Sequence, residues 1–265
     1  MTPAHQRRGP AALPHARPGG RTIYRLVLWN IDLTLVDVAR VSRQAYAEAL
    51  QRVTGRPLVA LPQVAGRSDS EIFFESLALN DVAVDASEHG GQELLARYAW
   101  ELSAAFSARR GQVTTQGRLL PGALQAVQAT AGLPGVVQSV LTGTIKPNAA
   151  EKLSAFGLAG YFDLDIGGYG SDVYPRGSQL LMCQTQAAEK YQVRLPAGTT
   201  VYIADSSRDV EAARISGVGC IAVASGRSTM ADLRSAGADV VLPDLTDVAE
   251  VVRAVDRLTG VAASH

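Results

Sequence analysis

Residues 25–34 read RLVLWNIDLT, an apolar run that leads directly into Asn30, Asp32 and Thr34. A continuous apolar stretch of this length is typical of a strand that is buried on both faces of a parallel sheet. In open parallel sheets, ligands bind just outside the carboxyl ends of the strands. The polar residues at the end of this run are therefore the first candidates for a functional site.

Apolar runs of the same kind recur along the chain and alternate with helical patterns. The runs are Val136–Leu141, Phe162–Ile166, Val201–Ala204, Ile221–Val223 and the short Asp239–Leu242. Between them, residues 147–156 and 209–216 have helical patterns, and each is followed by a glycine, the residue that most often ends a helix. Strands that alternate with helices predict an α/β fold with a parallel sheet.

The stretch from residue 37 to residue 117 interrupts this alternation, because it contains no convincing strand. It contains three helical segments instead. The first covers residues 41–53, and the second begins where Ser68 and Glu71 fit a capping box. The third carries apolar residues at helical spacing from Leu94 to Phe106. We therefore expect a helical insertion after the first strand.

These patterns predict three parts. Residues 1–21 mix Pro, Gly, Ala and Arg without the apolar segment of a secretory signal, so we expect a disordered tail. Residues 22–36 and 118–258 are expected to form the α/β core. Residues 37–117 are expected to form a helical cap.

Composition and charge exclude several classes of partner. The 265 residues carry 25 Lys and Arg against 25 Asp and Glu, so no overall field favours nucleic acid or an acidic membrane surface. No apolar run approaches the roughly 18 to 20 residues that a membrane helix requires. The two cysteines, Cys183 and Cys220, are expected to be reduced, which favours the cytoplasm. We expect a soluble, cytoplasmic monomer or homodimer without nucleic-acid or membrane partners.

Chemically active side chains follow the predicted strands. After the first strand come Asn30 and Asp32, and further loops contribute a hydroxyl, a guanidinium and two carboxylates. These further candidates are Thr142, Gly143, Arg176, Asp205 and Asp209. Carboxylates bind hard divalent cations, hydroxyls and exposed amides bind oxyanions, and a guanidinium binds phosphate. This set of groups indicates metal-assisted phosphoryl transfer.

With these residues in place, the chain resembles the haloacid dehalogenase-like hydrolase superfamily, and most closely its phosphoglycolate phosphatase-like members with a helical cap after the first strand. The resemblance covers about residues 24 to 255. Its four motifs occur in order: the first loop at Asn30 to Thr34, the hydroxyl loop at Thr142 and Gly143, the basic position at Arg176, and the acidic loop at Asp205 to Asp209. It implies a Rossmann-like parallel sheet beneath an α-helical cap.

The resemblance also implies a role for each residue. In the family, the first acidic residue of the first loop attacks phosphorus, and the second acts as general acid and base. Carried over, Asn30 takes the nucleophile position, Asp32 is the general acid and base, and Thr142, Gly143 and Arg176 bind the phosphate. Apart from these motifs, Arg67 stands just before a cap helix and is a candidate contact to the substrate, a small phosphorylated metabolite; the alternative is an exposed arginine that only precedes the helix. The implied Mg²⁺ is bound by Asn30, the backbone carbonyl of Asp32, Asp205 and Asp209.

Two positions depart from the family pattern, and a third has a rival. The nucleophile position holds Asn30, whose neutral amide is a poor nucleophile, and losing a nucleophile costs on the order of 10⁴ to 10⁶ in rate. Leu33 stands where the first loop usually carries a glycine. Lys146 is a rival to Arg176 as the phosphate-binding cation.

Asn30 leaves more than one interpretation open. It could be a deliberate trapping substitution or the mark of a natural pseudoenzyme, and the sequence does not separate the two. A replacement acid is disfavoured because no other carboxylate is placed to take over from position 30. The rival to a phosphatase is therefore a non-catalytic protein of the same fold that binds a phosphorylated metabolite.

Overall fold

The computed structural model describes residues 24–83, 88–171, 175–196 and 198–260, and of residues 88 and 89 the backbone alone. The predicted disordered tail over residues 1–21 lies outside the described residues. In chain order the elements are β1 (Arg25–Trp29), β2 (Val36–Asp37), α1 (Ala39–Thr54), α2 (Asp69–Leu79), α3 (Glu88–Ser107), α4 (Arg110–Gln116), β3 (Arg118–Leu119), α5 (Ala123–Ala131), β4 (Val136–Val140), α6 (Lys146–Ala155), a short 3₁₀ helix (Ala159–Tyr161), α7 (Arg176–Tyr191), β5 (Thr200–Ala204), α8 (Ser207–Ser216), β6 (Gly219–Val223), α9 (Met230–Ser235), β7 (Val240–Leu242) and α10 (Val248–Leu258).

Five parallel strands form the central sheet in the order β4-β1-β5-β6-β7, which confirms the predicted α/β class. Strand β1 lies between β4 and β5 and is buried on both faces. Its residues alternate between two apolar clusters: Val27 and Trp29 pack with residues of α5 and α10, whereas Leu26 and Leu28 pack with residues of α7 and α8. Helices therefore cover both faces of the sheet, as the continuous apolar strands required.

The predicted strand over Phe162–Ile166 is wrong. This segment follows the 3₁₀ helix as an irregular turn, and nearby only Gly168 forms an isolated bridge, to Leu141. Two aspartates interrupt the apolar run, and both are drawn outward to Lys190, with distances of 2.8 Å from its Nζ to Asp163 and 3.1 Å to Asp165. A segment in which charged residues alternate with apolar ones does not suit a strand that is buried on both faces, and it suits a turn at the surface better.

The predicted helices form, with small differences in their bounds. The capping box is confirmed, since the Ser68 hydroxyl accepts from the Glu71 amide at 3.2 Å and the Glu71 carboxylate accepts from the Ser68 amide at 2.8 Å. Gly217 ends α8 with a φ of 68°, in the left-handed region that glycine favours. The sequence pattern missed α4, because Val113 alone among its residues is buried and no apolar period marks it.

The cap consists of α1 to α4 and is inserted between β2 and β3, which pair antiparallel through Val36 with Leu119 and Asp37 with Arg118. Its interior includes Phe73 and Tyr98, whose stacked rings lie 4.1 Å apart. The cap rests closely on the core. The Asp69 amide donates to the Gly143 carbonyl at 2.7 Å, and the Ser70 amide donates to the Gly170 carbonyl at 3.2 Å.

Within the described residues, no helix is both long and apolar enough to cross a membrane. Both cysteines are buried and not joined in a disulfide.

Two glycines make the close approach of cap and core possible. A Cβ on Gly143 would lie 1.9 Å from the Arg67 carbonyl oxygen, and a Cβ on Gly170 would lie 1.6 Å from the Gly143 carbonyl oxygen. Backbone atoms cannot yield at such distances without moving the whole segment. The contact between the start of α2 and the hydroxyl loop therefore requires glycine at both positions.

We predict that Gly170→Ala separates the start of α2 from the core and lowers the free energy of unfolding by about 1 to 3 kcal/mol, as overpacking does. Urea denaturation followed by fluorescence measures the loss, and limited proteolysis reports exposure of the cap. Gly160→Ala is the control, because a Cβ there meets no atom within 4 Å. Equal stability of the two variants would contradict the prediction.

Candidate active site

The candidate site is a cavity of about 190 Å³ between the cap and the carboxyl ends of β1, β4 and β5. Most of the predicted site residues line it, and the cap adds an apolar wall that includes Leu61 and Val64. The predicted residues in its lining are Asn30, Asp32, Arg67, Thr142, Gly143, Arg176 and Asp205. The structure therefore brings together residues of five separate segments of the chain. Asp209 is the predicted site residue that is not in the lining.

Asn30 is buried at the end of β1, and its amide nitrogen makes two hydrogen bonds. Nδ2 donates to Oδ1 of Asp205 at 2.9 Å and to the backbone carbonyl of Asp32 at 3.1 Å. Both partners are acceptors, so the amide nitrogen rather than its oxygen must face them. The two N–H groups of Asn30 thus donate to two of the oxygens that were predicted to bind the metal, those of Asp205 and of the Asp32 carbonyl.

Asp205 is a buried carboxylate of the cavity with a strongly shifted pKa. Burial, together with the negative charge of the nearby Asp209, raises its pKa to about 7. The hydroxyl of Thr34 donates to Oδ1 of Asp205 at 2.9 Å, and Asn30 shares the same oxygen. These two hydrogen bonds offset part of the cost of the buried charge.

The residues present suit Mg²⁺ in chemical type. The carboxylate of Asp205, the backbone carbonyl of Asp32 and the side-chain carbonyl of Asn30 all offer oxygen, which is the ligand that Mg²⁺ prefers. The Asp205 and Asp32 oxygens both lie against the Asn30 amide nitrogen. To present its oxygen to a cation, the Asn30 amide would have to turn over. Of these three groups only Asp205 carries charge, so this set binds a divalent cation less strongly than one with two carboxylates.

The carboxylate of Asp209 already has hydrogen-bond and ion-pair partners within the chain. It is buried beneath the acidic loop, where Tyr202 donates to Oδ1 at 3.0 Å and the Ser206 hydroxyl donates to Oδ2 at 2.6 Å. Nε of Arg176 lies 3.4 Å from Oδ1. Both oxygens of Asp209 are thus engaged within the chain and the residue does not line the cavity, while its role as a metal ligand stays a prediction. Its observed position is that of a counter-ion to Arg176.

Arg176 opens α7 and lines the cavity. Its Nη1 is buried and has no hydrogen-bond partner among the residues that the structure describes. A buried donor without a partner is costly, and an oxyanion in the cavity is the kind of ligand that could satisfy it. Lys146, the rival cation, is half exposed, bonds to Asp165 at 3.2 Å and does not line the cavity.

The hydroxyl loop is tied to the cap by Asp69. The buried carboxylate of Asp69 accepts from the Ile145 amide at 2.8 Å and from the Tyr46 hydroxyl at 2.7 Å. Burial raises the pKa of Asp69. Arg67, the predicted substrate contact of the cap, lines the cavity but also forms an ion pair with Glu75.

Sequence reasoning missed Lys152, which is buried on α6 beside Asp32. Its Nζ lies 2.8 Å and 2.7 Å from the two carboxylate oxygens of Asp32 and 2.8 Å from the Thr144 hydroxyl. A signal was present in the helical pattern, because Lys152 shares the buried face of α6 with Ala149 and Leu153. A lysine at an inward position needs a partner.

Leu33 adopts a left-handed conformation with a φ of 60°. This is the position where the family usually has glycine, and a leucine there costs about 1 to 2 kcal/mol. The turn is fixed by a hydrogen bond from the Leu33 amide to the Val36 carbonyl at 2.8 Å and by one from the Ser225 hydroxyl to the Leu33 carbonyl at 2.6 Å.

A doubly covered parallel sheet, with a hydroxyl loop, an arginine and acidic loops converging under a helical cap, defines a phosphohydrolase-type α/β protein. The comparison with protein families agrees: the model of the haloacid dehalogenase-like hydrolases matches residues 27–214, and a second model of HAD-hydrolase-like proteins matches residues 181–248. The chain belongs to the haloacid dehalogenase-like hydrolase family.

Several proteins that are similar to this chain in sequence or in fold are named as phosphatases. The chain is 26% identical over 253 residues to the "Probable phosphatase IndB" of Dickeya dadantii, covering 91% of this chain and 98% of the relative. It is 26% identical over 229 residues to the phosphoglycolate phosphatase of Yersinia pseudotuberculosis, covering 84% and 91%. Among solved structures, a predicted phosphatase from Clostridium acetobutylicum shares the fold with a TM-score of 0.61, 18% identity and coverage of 87% and 99%.

We predict that Asp205 makes the stability of the metal-free protein depend on pH. Its pKa of about 7 in the folded chain exceeds that of an unfolded aspartate, about 3.9, so the folded state binds the proton more tightly. The contribution of this group is therefore fully present below about pH 4, is lost as the pH rises to 7, and amounts to a few kcal/mol. Urea unfolding across this range measures the slope.

The control for this prediction is Asp205→Asn, which keeps the size of the side chain and cannot titrate. It should show a shallower fall in stability between pH 4 and pH 7 than the natural sequence. Identical slopes in the two proteins would show that Asp205 does not carry the effect.

We predict that Arg176→Met weakens the binding of orthovanadate about 10-fold to 100-fold, as the loss of a charged hydrogen bond does. Calorimetry in the presence of Mg²⁺ measures the affinity. Lys146→Met is the matched control and should bind vanadate as the natural sequence does. The reverse result would make Lys146 the phosphate-binding cation.

Proposed function

We propose that this chain is a Mg²⁺-dependent phosphatase by ancestry that binds a small phosphorylated metabolite between its cap and core, and whose turnover is greatly reduced by Asn30. One observation carries the proposal: Thr142, Arg176 and Asp205 converge around Asn30 in a single covered cavity. The cavity has donors for a phosphate and lacks a carboxylate at the position of attack.

The positions of the residues support a role for each. The Thr142 hydroxyl and the Gly143 amide would bind phosphate oxygens, and the partnerless Nη1 of Arg176 would add a charged donor. Asp32, about one-third exposed at the cavity, is placed to exchange a proton with the leaving alcohol. Asp205, the Asp32 carbonyl and the Asn30 side chain would hold Mg²⁺. When bound, the ion would neutralise phosphate charge.

Asn30 limits the reaction in two ways. Its amide oxygen is a weak nucleophile, and the loss of a covalent nucleophile costs on the order of 10⁴ to 10⁶ in rate. Its amide nitrogen also donates to Asp205, so the group must turn over before it can face a cation or a phosphate. The neutral amide does not repel an anionic ligand, so binding survives the loss of turnover.

The substrate class follows from the size of the cavity. A volume of about 190 Å³ is below the usual range of 300 to 1,000 Å³ for pockets that hold drug-sized ligands, which favours a small metabolite. The relative in Yersinia pseudotuberculosis is named for phosphoglycolate, which is consistent with this size. A cytoplasmic location and a monomeric or homodimeric state complete the proposal, and cysteine usage supports the location.

A second candidate function is metabolite binding without catalysis. It is favoured by the internal pairing of the carboxylates around the cavity. Asp205 binds Asn30 and Thr34, Asp32 binds Lys152 and Thr144, and Asp209 binds Tyr202, Ser206 and Arg176. A site whose acids are already satisfied has less need of a cation.

The reversion Asn30→Asp separates the two functions. With Mg²⁺, we expect hydrolysis of an aryl phosphate to rise by about four to six orders of magnitude, because the nucleophile is restored. The new carboxylate would also face Asp205 at hydrogen-bond distance, so the variant should melt at a lower temperature than the natural sequence without metal and recover with Mg²⁺. Steady-state assays on a panel of phosphorylated metabolites and thermal denaturation with and without Mg²⁺ measure both effects.

The double variant Asn30→Asp with Asp205→Asn is the control, since it restores the nucleophile and removes the charged metal ligand. It should be nearly inactive. If Asn30→Asp itself stays inert while the natural sequence binds phosphate, the non-catalytic function replaces the phosphatase.

A further inference from the structure

Lys152 contributes an ammonium group whose three N–H bonds are all used. They point to the two carboxylate oxygens of Asp32 and to the Thr144 hydroxyl, at distances from 2.7 Å to 2.8 Å. The Thr144 hydroxyl in turn donates to Oδ2 of Asp32 at 2.8 Å. The three side chains form a closed network, so the Asp32 carboxylate is held from two sides.

This network joins three separate parts of the site. Asp32 belongs to the loop after β1, Thr144 to the hydroxyl loop after β4, and Lys152 to α6. Above them, the Lys152 ammonium lies 5.6 Å from the centre of the Phe106 ring in cap helix α3. The position of Asp32 is thereby linked to the loop that carries Thr142 and to the cap.

The exposure of the two partners shows which one faces the ligand. The side chain of Lys152 is 3% exposed, whereas that of Asp32 is 36% exposed and lines the cavity. Lys152 therefore cannot reach a substrate while it keeps its three bonds. Any effect that it has on the reaction must pass through Asp32 or Thr144.

We propose that Lys152 is a positioning residue that, together with Thr144, fixes the Asp32 carboxylate at the edge of the cavity for proton exchange with the leaving group. This role rests on the proposed function, because orientation of Asp32 matters for turnover only if Asp32 serves as acid and base. It accounts for a buried lysine at the junction of the first loop, the hydroxyl loop and the cap.

The first test measures turnover in the Asn30→Asp protein with and without Lys152→Met. An alkoxide leaving group needs the proton that Asp32 supplies, whereas a phenolate of low basicity leaves without it. Because kcat/KM reports the steps up to release of the leaving group, we expect kcat/KM for an alkyl phosphate to fall by about 10²-fold, while kcat/KM for an aryl phosphate changes much less. Lys152→Arg should recover part of the alkyl activity, and Lys146→Met on the same helix should have no effect.

A loss of kcat/KM of equal size on both substrates would mean that Lys152 supports the fold alone, and no loss on either would mean that Asp32 is placed without it. Either result overturns the proposal.

The second test does not depend on turnover. Asp32→Ala, Lys152→Met and the double variant are made in the natural sequence, and their urea midpoints are compared. Each single change leaves a charge without its partner, so we expect the double variant to lose less than the sum of the two. Additive losses would show that the pair is not coupled and would overturn the proposal. If Asn30→Asp is inert on every phosphate, the proposed function fails, and this cycle still decides whether Lys152 holds Asp32.

Discussion

The need to neutralise buried charges at one end of the sheet governs the site. The carboxylate of Asp205 depends on Asn30 and Thr34, and the ammonium of Lys152 depends on Asp32 and Thr144. An uncompensated charge in such surroundings costs several kcal/mol, so each of the two must find a partner within the chain. The hydrogen bond between Asn30 and Asp205 is the central one, because it replaces repulsion between two acids with attraction.

The cap depends on the core through the same region. The Asp69 carboxylate joins α2 to the backbone amide of Ile145, which lies between the hydroxyl loop and α6. Gly143 and Gly170 allow the backbones of cap and core to meet. The elements that shape the cavity are thus held by contacts that also order the phosphate-binding loop. Ligand binding and cap position share one set of interactions.

Much of the fold could be predicted from the sequence, because long apolar runs such as Leu26 to Trp29 have few alternatives to a buried parallel strand. The strand predicted at 162–166 was wrong because the prediction gave more weight to the three apolar residues of this segment than to the two aspartates that alternate with them. Residues such as Asn30, Thr142 and Arg176 could be found from their places after strands. The partners of Lys152 and of Asp209 could not, since these contacts join residues far apart in the chain whose meeting depends on how helices pack.

Leu33 links the mouth of the cavity to a distant part of the chain. Its left-handed backbone is held by Ser225, a residue 192 positions further along, in the loop that follows β6. Should that loop move away, the leucine could relax to the right-handed region and take the neighbouring Asp32 and Thr34 with it. The loop after β6 therefore helps to hold the turn that contains Leu33, although this loop contributes none of the motifs by which the family is recognised.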